Sequence, residues 1–316
     1  MNDYYFLNRA FKINVNMIER RRDHCIGKFY MDEFKYTKRE GFQNLVNIFD
    51  DHGFKLRIVG GAVRDMLLGK TPIDIDFVTN ATVIQMKLMF HRKYIATVHP
   101  KGEEHGTVTA KMNDKETYEI TTLRINIEHR YRDEWQMDAS KRDFTINAMS
   151  LTLDGDVYDY FNGYNHLRKK KVIFVGDPVE RIEEDYIRIF RYFRFYGKIA
   201  KHPYRHNPKV IIAIKETVKG LKDINGQRIW TEWKKILRGN FGMEMTLKLI
   251  NCGAGQYCGL PFYPSRRRFR RIYQECKDKK TETKRLLSSL LNNKGDRFEL
   301  EKRLEITLKP RDLNWI

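Results

Sequence analysis

Cysteine is scarce and scattered. Cys25, Cys252, Cys258 and Cys276 are the four in 316 residues. None forms a Cys-x-x-Cys pair, and no histidine cluster completes a zinc pattern, which argues against a disulfide scaffold or a structural zinc site. Reduced thiols in a reducing compartment, and a protein that is not secreted, are the expectation. Long apolar runs are also missing. Nothing approaches the ~20 consecutive apolar residues of a membrane-spanning helix, and internal repeats and low-complexity tracts are absent. Acidic residues are in deficit, with 41 Asp+Glu against 60 Lys+Arg, a net charge of +19. That excess favours a polyanionic partner, nucleic acid before an acidic membrane surface, with a merely solvated basic surface as the bland alternative. The N-terminus carries Arg20, Arg21 and Arg22 but also Asp3, Glu19 and Asp23, more acid than an organelle presequence normally holds. Met31 offers a second start, and hence a second location.

What is present is a core-forming chain, 41% hydrophobic and 13% aromatic, long enough for two domains. Its character changes near residue 165. Before that point short strand-like runs alternate with helices. The patterning predicts helices over 40–51, 62–68, 82–91 and 143–149, with Thr79, Asn80 and Thr82 as caps for the third. It predicts strands over 55–59, 74–78, 95–98, 107–112 and 118–124, a polar loop over 126–140, and a hairpin around Asp154-Gly155. After it, helices are expected over 179–199, 208–221, 227–237, 243–251, 265–277, 283–291 and 297–308. An α+β head followed by an all-α remainder is the simplest architecture. From Pro261 onward basic residues outnumber acidic ones two to one, most densely at Arg266, Arg267, Arg268, Arg270 and Arg271.

The chemistry is written in the head. Ile58-Val59-Gly60-Gly61-Ala62-Val63-Arg64-Asp65 reads as a strand ending in two glycines with a helix starting at once. Glycine permits close backbone approach to a phosphate, helix-start amides point at an anion, and Arg64 lies in the first turn. Alone, such a turn is more often just a tight turn. Asp74-Ile75-Asp76 follows on a predicted strand, where alternation puts both carboxylates on one face. Two adjacent carboxylates repel unless a cation lies between them, and magnesium takes one or two carboxylates plus substrate phosphates. A solvated strand edge is the competing reading.

These two runs resemble the first motif of class II tRNA nucleotidyltransferases (CCA-adding enzymes), which share their head with bacterial poly(A) polymerases in the polymerase-beta superfamily. Further matches follow in order. Lys141-Arg142-Asp143-Phe144-Thr145-Ile146-Asn147-Ala148-Met149 is similar to the family's second motif, and Asp159-Tyr160-Phe161-Asn162-Gly163 opens its third. Glu184-Asp185-Tyr186-Ile187-Arg188-Ile189-Phe190-Arg191 is similar to its Glu-Asp-x-x-Arg motif, and Arg228 to Leu237 to its fifth. The resemblance spans about residues 42–261, in wording nearest to eukaryotic members. It implies a polymerase-beta-like α+β head over 36–165 after an N-terminal extension (1–35), a helical neck over 166–260, and a basic helical body over 261–316 that is short for the family.

The resemblance also implies a reaction: CTP and ATP donate nucleotides to the 3′-hydroxyl of a tRNA, with release of pyrophosphate. Asp74 and Asp76 would be the catalytic carboxylates holding Mg2+, and Gly60, Gly61, Arg64 and Asp65 would bind the nucleotide. Arg142, Arg191 and Arg194 would complete its pocket, with Asp143 and Asn147 in support. Asp185 and Arg188, three residues apart on one predicted helix, would read the base. Cytosine and adenine both show an amino donor beside a ring-nitrogen acceptor, which suits a carboxylate and a guanidinium; uracil and guanine present the reverse. Glu119 is either a third carboxylate or a solvent-facing glutamate on an edge strand. Arg266, Arg267, Arg268, Arg270 and Arg271 would contact RNA phosphates.

Three departures stand out. His166 replaces a family aspartate in Gly163-Tyr164-Asn165-His166-Leu167. The segment between Arg124 and Arg142 is short and lacks the family's Asp-Gly-Arg, which bears on whether A is added after C. Gln227 and Trp233 replace family residues in the fifth motif. Alternatives therefore include a CC-only or A-only enzyme, a poly(A) polymerase, and a non-catalytic RNA-binding paralogue. The location follows the RNA pool served, mitochondrial or cytoplasmic and nuclear.

Overall fold

The computed structural model describes residues 24–31, 34–124, 133–276 and 282–313. The arginines at 20–22 and residues 125–132 of the shortened segment after Arg124 lie outside the described residues. The chain divides into two compact units, Met1–Lys169 and Lys170–Ile316.

The first unit is built on one sheet. Its strands are β1 (Cys25–Lys28), β2 (Leu56–Val59), β3 (Asp76–Thr79), β4 (Ala96–Val98), β5 (Thr107–Lys111), β6 (Thr117–Thr122), β7 (Ser150–Thr152) and β8 (Asp156–Tyr158), in the order β1-β8-β7-β2-β3-β6-β5-β4. Among the described residues all neighbours are antiparallel except β3 and β6. Five helices accompany it: α1 (Glu40–Asp51), α2 (Gly61–Leu67), α3 (Val83–Arg92), α4 (Glu134–Ser140) and α5 (Gly163–Arg168). Helix α1 buries Phe42, Leu45, Ile48 and Phe49, and each such side chain contributes about 1.5–3 kcal/mol. Phe42 meets Phe77 of β3 at 5.8 Å and Tyr118 of β6 at 6.2 Å. The first turn of α1 has no cap of its own; Glu116, from the turn before β6, accepts from the Gly41 N–H at 3.0 Å instead. Thr82 and Gln85 close a reciprocal capping box on α3, so Thr82 is the cap among the three expected.

Two expectations for this unit fail for local reasons. Residues 143–149 form no α-helix, only one 3-10 turn over Thr145–Asn147. The Asp143 carboxylate accepts from the Phe144 N–H and from Asn147 Nδ2, and such local bonds compete with the helix ladder. The expected loop over 126–140 instead ends in α4, capped by Asp133 through the Trp135 N–H.

The second unit is helical: α6 (Pro178–Glu184), α7 (Arg188–Ile199), α8 (Pro208–Thr217), α9 (Gly226–Arg238), α10 (Gly242–Asn251), α11 (Ala254–Tyr257), α12 (Arg266–Glu275), α13 (Thr283–Ser288) and α14 (Lys294–Leu304). Its core centres on α7 against α9, where Phe190 and Trp233 meet edge-on at 5.5 Å. Arg303 of α14 donates to the carbonyls of Tyr257, Leu221 and Ile224, tying the last long helix to the rest. The single helix expected over 179–199 is broken. Asp185 is extended (φ −159°, ψ 102°), and α7 restarts at Arg188. Arg188 Nη1 donates to the Arg181 carbonyl at 2.7 Å, satisfying a helix-end acceptor that the break exposes. Among the described residues no helix is long and apolar enough to cross a membrane.

Candidate active site

In the first unit the acidic residues and the glycine turn meet at one end of the sheet. Val59, the last residue of β2, pairs with Asp76, the first of β3. Gly60 follows immediately with φ 70° and ψ −126°, a conformation that only glycine adopts readily. Asp76 pairs in parallel register with Glu119. Strand β6 lies between β3 and β5, so Glu119 stands on an interior strand rather than the expected edge, although its side chain is exposed. Asp74 precedes the ladder, which begins only at Asp76, but exposure still alternates across Asp74, Ile75 and Asp76, with Ile75 buried. Tyr36 fixes this lead-in by donating to the carbonyls of Pro72 and Ile73 at 2.8 and 3.0 Å.

The carboxylates open into a cleft of about 410 Å3 that also carries Arg39, His99 and Lys115. The Asp76 carboxyl is pushed above its ordinary range, first by partial desolvation between the strands, then by the Glu119 charge and, after the opposing pull of Arg142, by Asp74. An acid whose proton affinity is raised by burial and by two neighbouring carboxylates is a site that a cation relieves.

Arg142 connects the acids to the turn. A β-carbon on Gly60 would lie 3.1 Å from its Nη1, and its guanidinium is held by the buried Asp138, with Nη2 donating at 3.1 Å. Asp138, with Arg124 at 3.9 Å, belongs to α4 and had no sequence signal. Arg64, expected at the phosphates, is buried; it donates to Asn147 Oδ1 and to Asp65 at 3.0 Å. Asn147 in turn donates to Asp143. Arg64, Asp65, Asn147 and Asp143 thus form a bracing network beneath the turn. His166, the departure from the family aspartate, bonds Thr145 Oγ1 at 2.9 Å, while Asp159 accepts from the Gly163 and Tyr164 amides at the start of α5.

In the second unit Asp185 and Arg188 do not share one helix, although across the break the Arg188 N–H donates to the Asp185 carbonyl at 2.9 Å. Asp185 accepts from Arg228 of α9 at 2.8 Å, and Arg188 pairs with Glu184 at 2.8 Å. Arg191, Arg228, Gln227, Thr231 and Glu232 line a second cleft of about 370 Å3. Arg194 pairs with the buried Glu232 at 3.1 Å and lies over the Phe195 ring. Arg228 and Glu232 stand in the matched fifth motif but were not singled out as site residues.

A mixed sheet carrying paired carboxylates beside a glycine-started helix is the architecture of a nucleotidyltransferase head. The family pattern described as Poly A polymerase head domain matches residues 56–173. "CCA tRNA nucleotidyltransferase 1, mitochondrial" of Danio rerio is 39% identical over 315 residues, covering 98% of this chain and 73% of that protein. The Homo sapiens protein of the same name is 43% identical over 303 residues, covering 92% and 70%. A Lactococcus lactis CCA-adding enzyme is 34% identical over 220 residues, covering 66% and 53%. Among solved structures, the Bacillus stearothermophilus CCA-adding enzyme in complex with CTP superimposes with a TM-score of 0.62 at 26% identity, over 85% of this chain and 71% of that one. The Thermotoga maritima CCA-adding enzyme complexed with tRNA gives 0.68 at 22% identity, over 87% and 68%, a likeness of fold. The chain belongs to the CCA tRNA nucleotidyltransferase family.

Proposed function

We propose that this protein is a template-independent nucleotidyltransferase that completes CCA at the 3′ ends of tRNA from CTP and ATP. The observation that carries the reading is the register of Asp76 beside Glu119, with the Gly60-Gly61 turn at the same end of the sheet. The names of the relatives supply the substrates.

In the reaction, the RNA 3′-oxygen forms a bond to the α-phosphorus, and the bond to pyrophosphate breaks. The Gly60 and Gly61 backbone accommodates phosphate oxygens without a side chain in the way. Arg142, held by Asp138, balances the charge of the triphosphate, while Arg64, with Asp65, Asp143 and Asn147, keeps the turn rigid. Asp74 and Asp76, with Glu119 beside them, fit a hard divalent cation: all are oxygen donors, and the Asp76 carboxyl is raised by burial and then by its neighbours' negative charge. Among the described residues no three acidic, His or Cys side chains are grouped to hold an ion by themselves, and substrate phosphates would supply further oxygen ligands. The chemistry that Mg2+ supplies when bound is Lewis-acid neutralisation of phosphate charge. In the helical unit Asp185 and Arg188 are the base readers, with Arg191 and Arg194 on the nucleotide. Asp185 must exchange Arg228 for the amino group of C or A, and Arg188 must turn from Glu184. The α12 arginines contact RNA phosphates. The mitochondrial names of the vertebrate relatives support action in that organelle, and cytoplasmic or nuclear tRNA is the alternative pool.

The test is incubation of the purified chain with tRNA lacking CCA, Mg2+ and labelled CTP or ATP, alone and together. Sequential C, C and A addition is expected. Incorporation of C without A identifies a CC-adding enzyme, and repeated A addition a poly(A) polymerase. No incorporation of any nucleotide sinks the enzymatic reading and leaves an RNA-binding paralogue.

A further inference from the structure

Phe262 and Tyr263 are 77% and 81% exposed, their rings in edge contact at 4.7 Å. They are held in place. Proline restricts the backbone on both sides, at Pro261 and Pro264. The Tyr263 carbonyl accepts from Asn292 Nδ2 at 2.9 Å, and the Ser265 N–H donates to the Leu290 carbonyl at 2.8 Å. Beside the pair lies a cleft of about 260 Å3 whose wall includes Asn251, Gln256, Phe262, Pro264 and Arg266. Helix α12 begins at that wall and carries Arg266, Arg267, Arg270 and Arg271 exposed. Arg266, Arg267 and Arg270 have no ion-pair partner among the described residues, and Arg271 reaches only Glu275, at 3.8 Å.

We propose that this face is an RNA-binding site in which one unstacked base packs on Phe262 and Tyr263. The amides of Asn251 and Gln256 take its polar edge, and the α12 arginines take the flanking phosphates. The proposal rests on the RNA-directed reading above. Rigid exposed rings present area to any flat apolar partner at little entropic cost. The guanidiniums beside them select a polyanion, and the two amides suit a heteroaromatic edge rather than a lipid chain. Stacking of this kind tolerates any base, so the site grips RNA without reading sequence.

The experiment uses the full chain and fluorescein-labelled tRNA lacking CCA, with anisotropy measured across a salt series. Phe262→Ala/Tyr263→Ala is expected to bind roughly ten- to hundred-fold more weakly at every salt concentration, with the salt slope unchanged. Phe262→Trp retains affinity. Arg266→Ala/Arg270→Ala flattens the salt slope by about two. In turnover the aromatic variant's loss falls on the KM for tRNA and not on the KM for CTP. Photocrosslinking of 4-thiouridine-substituted RNA to the unmutated chain, mapped by mass spectrometry, is expected to mark the Phe262–Tyr263 peptide and guards against a variant that fails to fold. Unchanged RNA affinity in the aromatic variant, or no crosslink there, overturns the proposal. So does self-association of the unmutated chain, or its binding to phosphatidylserine vesicles, that the double substitution abolishes while RNA affinity stays. An unmutated chain that neither binds nor extends tRNA refutes the preceding functional reading instead.

Discussion

Asp76 and Glu119 are direct partners on the parallel β3–β6 ladder, although 43 residues separate them in the chain. Their charges repel, and Asp74 adds to the strain. Asp76→Asn should therefore abolish nucleotide addition while raising the cation-free stability by about 0.2–1 kcal/mol, the size of a like-charge cross-strand term. Thermal melts in EDTA and incorporation assays check both. A variant that still incorporates CTP refutes the assignment.

Asp138 is expected to act through Arg142. Asp138→Asn keeps the shape but removes the charge that holds the guanidinium, at a cost of about 1.5–3 kcal/mol. The KM for CTP and ATP should rise with little change in tRNA affinity. Equal loss of tRNA binding contradicts this role.

Gly60 has no tolerable replacement. At its positive φ any side chain is strained by about 1–3 kcal/mol, and a methyl group would meet Arg142 Nη1 at 3.1 Å. Gly60→Ala should lower the denaturant midpoint and reduce kcat. A stable variant of full activity would show that the turn is not part of the site.

Arg228 holds Asp185 at 2.8 Å. Arg228→Ala should release that carboxylate and change the ratio of CTP to UTP incorporation, whereas Asp185→Asn should weaken discrimination against UTP outright. Single-nucleotide assays measure both ratios. An unaltered ratio in both variants removes Asp185 from base choice.

His206 stacks on Tyr196 at 3.9 Å and bonds Tyr192 at 3.2 Å. Burial first, and the Lys248 charge second, depress its pKa from 6.5 to about 4. The unfolded chain takes up the proton first as pH falls. Stability from this group is therefore complete above pH 6.5 and is lost progressively toward pH 4. Urea midpoints near pH 7.5 and pH 5 should differ less in His206→Asn than in the parent. An identical difference in both rules out His206 as the source.

What the sequence determined alone was local or periodic. The Gly60-Gly61 turn, the alternation around Ile75, the Thr82 cap and the helix over Glu40–Asp51 each depend on residues within a turn or two of one another. Ordered motifs sufficed for the α+β class and for the family. Tertiary structure decided the rest. Glu119 joins Asp76 only because β6 inserts between β3 and β5, a register that no local pattern encodes. The patterning predicts one helix through Asp185, with Ile187 off its apolar arc, yet the helix stops there, where Arg228 from α9 and the Arg188 bond to Arg181 offer better partners. Arg64 lies in the first turn after the glycines, and only the fold brings Asn147, 83 residues away, to accept from it. A charged side chain takes the partner that the packed chain brings within 3 Å, and sequence spacing reports that partner only when it lies on the same turn.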